Sequence, residues 1–140
     1  MAAELPGRLP TFKPEEIALA HDFIRSGLIK GEVRAGIPLE TERSRRVLEL
    51  NPAAGFWDRY PWMLKVDLVV ETPAEVWIVE LSSRIQMVTV GQILTYAGLY
   101  EEQYRPGKPI RLAVVARRGA PEVQAVLERQ GVAVFIMPEV

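Results

Sequence analysis

Apolar side chains recur at helical spacing from Ile17 through Leu19, Ala20, Phe23, Ile24 and Leu28. Pro14 stands in the first turn, where its missing N–H costs nothing, and Glu15 and Glu16 sit beside the positive end of the dipole. The pattern predicts a first helix of about four turns. From Glu32 to Leu39 it becomes extended, and Gly36 and Pro38 mark the strand for a sheet edge. Segment 40–60 is mixed: Glu42 to Leu50 reads as a short helix, and Asn51-Pro52 with Gly55 as loop. Two β-branched runs, MLKVDLVV (63–70) and VWIVELSS (76–83), flank the turn ETPAE and predict a hairpin.

Residues 88–104 then return to helical spacing until Pro106-Gly107 stops them. IRLAVVA (110–116) is a short buried strand, 120–130 a helix ended by Gly131, and 132–137 a last strand. Three strands followed by crossover helices and further strands imply an α/β fold, a mixed sheet flanked by helices on both faces. Residues 1–13, broken by Pro6-Gly7 and Pro10, read as an N-terminal arm with little chemistry, and 14–140 as a single domain.

Composition narrows the chemistry. The 140 residues, 49% hydrophobic and 25% charged, suffice for one core and leave no room for a second. The sequence has no run of membrane-helix length and no secretory leader, so a soluble, cytoplasmic protein is expected. The absence of cysteine excludes disulfides, thiolate metal sites and thiol nucleophiles. With His21 the sole histidine, any metal must be held mainly by carboxylates, which points to Mg2+ or Mn2+. A net charge of −1 means that contacts to nucleic acid would be local. Gly-rich phosphate loops of the usual spacing are missing.

The hairpin carries the candidate chemistry. Closing it at Thr72 and Glu75 places Asp67 opposite Glu80 and Lys65 opposite Ser82, all on one face, with Val66, Leu68, Val79 and Leu81 on the other. Two acids side by side in apolar strands need something positive between them, and a divalent cation or Lys65 would supply it. The plainer alternative is that each acid marks a stretch of strand emerging into solvent.

Asp67, then Glu80-Leu81-Ser82, then Gln92 and Tyr96 on the following helix resemble the PD-(D/E)XK nuclease superfamily, in its RecB-like and viral or mobile-element branch. The resemblance covers about residues 14–116. It implies a restriction-endonuclease-like αβββαβ core with a C-terminal αβ extension, and Mg2+- or Mn2+-dependent hydrolysis of phosphodiesters. Asp67, Glu80 and the Leu81 carbonyl would be the metal ligands. Gln92 would orient water or a phosphate oxygen, with Tyr96 one turn further along. Glu16 on the first helix would add an acid, with Asp22 and Glu40 as weaker candidates.

Where the family has Glu-x-Lys, this chain has Glu80-Leu81-Ser82, and a hydroxyl carries no charge. Lys65, reaching across the hairpin, is the candidate replacement, and Arg84 a second. Arg43, Arg45 and Arg46 are candidate phosphate contacts, although interleaved Glu40, Glu42 and Glu49 also fit a solvated surface helix. Trp57, Tyr60 and Trp62 could stack on bases or simply pack a loop on the sheet. The implied partner is DNA, branched or single-stranded, bound by a homodimer. The lost lysine keeps a second reading open: a catalytically degenerate module that binds nucleic acid or a protein partner without turnover.

Overall fold

The computed structural model describes residues 12–139, so all but the end of the expected arm lies outside the described residues. Helix α1 (Pro14–Ser26) leads into β1 (Glu32–Leu39), followed by α2 (Glu42–Leu50), the single-turn α3 (Phe56–Arg59) and a 3-10 turn at Tyr60–Trp62. The hairpin is β2 (Leu64–Glu71) and β3 (Val76–Arg84); α4 (Met87–Tyr104), β4 (Ile110–Arg118), α5 (Pro121–Arg129) and β5 (Val132–Ile136) complete the chain.

The five strands lie in sequential order, β1 to β5. β1, β2 and β3 are antiparallel, whereas β4 and β5 run parallel to β3, as α4 and α5 cross over between them. The sheet is therefore mixed, with β1 at one edge as its Gly36 and Pro38 imply. One face packs on α1 through Leu19, Ala20, Phe23, Leu68, Val79, Leu81 and Val115. The other packs under α4 and α5 through Ile78, Ile93, Tyr100, Val114 and Leu127. The helices bury the apolar stripes that their spacing requires.

The hairpin turn closes where expected: Thr72 N–H donates to the Glu75 carbonyl at 2.9 Å, and Leu68, Val69, Val70 and Glu71 pair with Val79, Ile78, Trp77 and Val76. Beyond Leu68–Val79 this ladder ends, and the two strands part. β2 continues against β1 alone, while β3 continues against β4 from Glu80 to Arg84. At the same level β1 turns through Gly36, whose φ of 61° suits a residue without Cβ. Val33 and Ala35 belong with Leu68 and Val70 to the α1 face, whereas Ile37 and Leu39 join Leu64 and Val66 under α4. β1 and β2 therefore change faces together, at Gly36 and Asp67. Val66 consequently lies on the opposite side from Leu68, contrary to the simple alternation expected from sequence.

Among the described residues no helix is long and apolar enough to cross a membrane.

Candidate active site

Asp67 sits at the point where the hairpin opens. With the β2–β3 ladder ended there, the backbone N–H of Leu81 on β3 donates to Asp67 Oδ2 instead, at 2.8 Å. Glu80, one residue earlier on β3, is only 8% exposed, and its Oε2 is buried with no hydrogen-bond partner among the described residues. The two carboxyls are neighbours, close enough to perturb each other's titration. Burial pushes both above the ordinary carboxylate range; for Glu80 the neighbouring Asp67 adds to this, while for Asp67 the Leu81 N–H works against it. Two such acids cannot both ionise without compensation, so in the absence of a cation they hold a proton between them.

Beside the pair lies a cavity of about 240 Å3, lined by Lys13, Glu15, Glu16, Glu80, Leu81, Ser82, Ser83, Arg84, Gln86, Val88, Thr89 and Gln92. Three elements meet there: the start of α1, the free end of β3 and the start of α4. Glu16 Oε1 accepts the N–H of Lys13 at 3.2 Å, and the Glu16 charge also raises both acids of the pair. Ser82 Oγ donates to the Arg84 carbonyl. On α4, Tyr96 is half-buried one turn beyond Gln92, its hydroxyl pushed up to about 12 by burial and by the charges of Glu80 and Asp67. It stays protonated at neutral pH.

The structure thus brings Asp67, Glu80, Leu81, Ser82, Arg84, Glu16, Gln92 and Tyr96 to one end of the sheet. It does not bring Lys65. That ammonium lies 4.1 Å from the ring centroid of Tyr60, and Lys65 is not among the residues lining the cavity. The expected apposition to Ser82 fails because the ladder opens before it reaches them. Asp22 and Glu40 are elsewhere as well: Asp22 pairs with Arg117 at 2.8 Å, and Glu40 with Arg59 at 3.0 Å and Ser44.

None of the α2 arginines lines the cavity. Arg43 stacks over Trp62 at 4.3 Å, Arg46 pairs with Glu42 at 2.9 Å, and Arg45 borders a separate hollow with Glu40, Phe56 and Tyr104. Trp57 packs edge-on to Phe56, its ring also near Tyr60, yet remains 74% exposed. Sequence reading missed Lys13, Gln86 and Thr89. For Lys13 a signal existed: it precedes by three residues the Glu16 singled out on α1, and so shares the same helix end.

The donor set fits a hard divalent cation. An orphaned buried carboxylate oxygen, a second carboxyl beside it and the backbone carbonyl of Leu81 are oxygen ligands of the kind Mg2+ and Mn2+ take. Among the described residues no three acidic or imidazole groups are gathered closely enough to hold a metal by themselves, so water, backbone or substrate oxygens would complete the shell.

No family model and no curated protein matches the sequence. Among solved structures, a repair endonuclease from Pyrococcus abyssi superposes with a TM-score of 0.54 at 17% identity, over 94% of this chain and 50% of that one. EndoMS bound to dsDNA gives 0.53 at 19% identity, over 97% of this chain and 49% of that one. EndoMS in its apo form gives 0.51 at 19% identity, with 95% and 49% covered. The chain spans about half the length of each. Its mixed five-stranded sheet and flanking helices have the restriction-endonuclease-like fold of these repair endonucleases.

Proposed function

We propose that this chain is a divalent-metal-dependent endonuclease that hydrolyses phosphodiester bonds in DNA. The observation that carries this reading is the buried Asp67–Glu80 pair with its unpartnered Glu80 oxygen, set beside a polar cavity in a fold shared with repair endonucleases. Asp67, Glu80 and the Leu81 carbonyl would hold Mg2+ or Mn2+, with Glu16 approaching from α1. When bound, such an ion supplies a Lewis acid for the scissile phosphate and lowers the pKa of a coordinated water.

The remaining work falls to the chain itself. The Leu81 N–H fixes the Asp67 carboxylate, so one ligand is oriented before any substrate arrives. The Gln92 amide, reaching the cavity from α4, would donate to a phosphate oxygen or orient the attacking water. Tyr96 keeps its proton and can donate behind it. Arg84 offers a permanent charge to a flanking phosphate.

DNA is the proposed substrate because EndoMS, a structural neighbour, is found in complex with dsDNA. A single Asp67–Glu80 site would cut one strand, so cleavage of both strands of a duplex would take two copies.

Supercoiled, linear, single-stranded and branched DNA incubated with Mn2+ should reveal which form is cut. Glu80→Gln and Asp67→Ala are each expected to lower the rate by at least about a hundredfold. Cutting that survives both substitutions would place the activity elsewhere. Ser82, neutral beside the acids, favours the alternative of a non-hydrolytic binding module; retention of DNA with no cleavage of any form would establish it.

A further inference from the structure

Hydrolysis of a phosphodiester concentrates negative charge on the phosphate, and the cavity is already rich in acids: Glu15, Glu16 and Glu80 all line it. Its cationic side chains are Lys13 and Arg84. Resting on the nuclease reading above, we infer that Lys13, from the start of α1, is a catalytic residue whose ammonium stabilises the charge building on the scissile phosphate.

The placement supports this from several directions. The backbone of Lys13 is held, its N–H on Glu16 Oε1 at 3.2 Å and its carbonyl accepting from Glu16 and Ile17 at 3.0 Å. The side chain is exposed and makes no ion pair among the described residues. The stem thus starts from a fixed point at the cavity wall while the ammonium can reach across it. Glu80 lines the same cavity and carries the unpartnered buried Oε2. Ser82, two residues beyond Glu80 on β3, has its hydroxyl on the Arg84 carbonyl and offers no charge.

Lys65 is otherwise engaged, stacked on Tyr60 outside the cavity, and burial lowers its affinity for a proton. Arg84 emerges from the last residue of β3 at the rim, where a flexible, exposed guanidinium suits a neighbouring phosphate.

In the step itself, a water oxygen forms a bond to phosphorus and the bond from phosphorus to the leaving oxygen breaks. The water's proton passes to solvent, and the leaving oxygen takes a proton from solvent. Lys13 exchanges no proton with the reacting atoms and contacts a non-bridging oxygen.

Single-turnover cleavage in Mn2+ by wild type, Lys13→Ala, Lys13→Arg, Lys65→Ala and Glu80→Gln tests this. Lys13→Ala should slow cleavage by about 100–1,000-fold, the usual consequence of removing one donor to a developing oxyanion. Lys13→Arg should recover at least about a tenth of the wild-type rate, since charge rather than titration is required. Lys65→Ala should remain within about threefold of wild type.

A second readout needs neither metal nor turnover. With EDTA on the Glu80→Gln background, adding Lys13→Ala should reduce the salt slope of duplex binding by about one, with an unchanged melting temperature. Wild-type cleavage with Lys13→Ala cutting equally well, or an unchanged salt slope, overturns the role of Lys13 and leaves the nuclease reading standing. A wild-type protein that cuts no form of DNA overturns both.

Discussion

Glu80 concentrates the energetics of the site in one side chain. A carboxyl with a buried, unpartnered oxygen next to a second acid is costly unless it is protonated or meets a cation. Both carboxyls are raised in the folded state above their unfolded values, chiefly by burial, so the stability they support is whole below the unfolded carboxylate range. It is lost as pH rises through the raised values. In EDTA the melting temperature should therefore drop by several degrees between about pH 5 and pH 8. Glu80→Gln should remove most of that drop, and a flat wild-type profile would mean that the pair is not buried as described.

At this scale the sequence was informative where chemistry broke a pattern. Asp67 and Glu80 stand out because each interrupts an apolar strand. Lys13 does not, since an exposed lysine before a helix is ordinary and its significance comes only from the meeting of α1 with β3.

Among the elements, the fork between β2 and β3 positions the acids. The turn chemistry of Thr72 to Glu75 set the register of Leu68 to Glu71, and that much could be read directly. Where the ladder stops could not, because it depends on β1 turning at Gly36 and on β3 transferring its pairing to β4. Extending the register past that point is what misplaced Lys65. Gly36→Ala tests the turn: an added Cβ meets nothing within 4 Å, so the expected loss of about 1–2 kcal/mol in chemical denaturation is purely conformational. A loss near zero would mean that the left-handed backbone is not required there. On the α1 face, Phe23 is fully buried against the sheet and 6.0 Å from Phe135. Phe23→Ala should cost about 3–5 kcal/mol, and because α1 carries Lys13 and Glu16 it should also weaken cleavage.

For the molecule as a whole, the helix and strand order followed from periodicity and from Gly and Pro punctuation, and that order implied a mixed sheet covered on both faces. The segment from α2 to the 3-10 turn was harder to read because what anchors it is tertiary. Glu40 exchanges hydrogen bonds with Gln103 on α4 at 2.8 Å both ways and pairs with Arg59, which docks the excursion away from the cavity. Its arginines therefore spend their charge on Trp62, Glu42 and Glu40.

A cation site made by two carboxyls that otherwise share a proton can be read by calorimetric titration of Mn2+ into the metal-free protein in buffers of different ionisation enthalpy. The wild type should bind and release about one proton per protein near pH 7, while Glu80→Gln should show little binding. Binding of equal strength in both proteins, or none in the wild type, would contradict it.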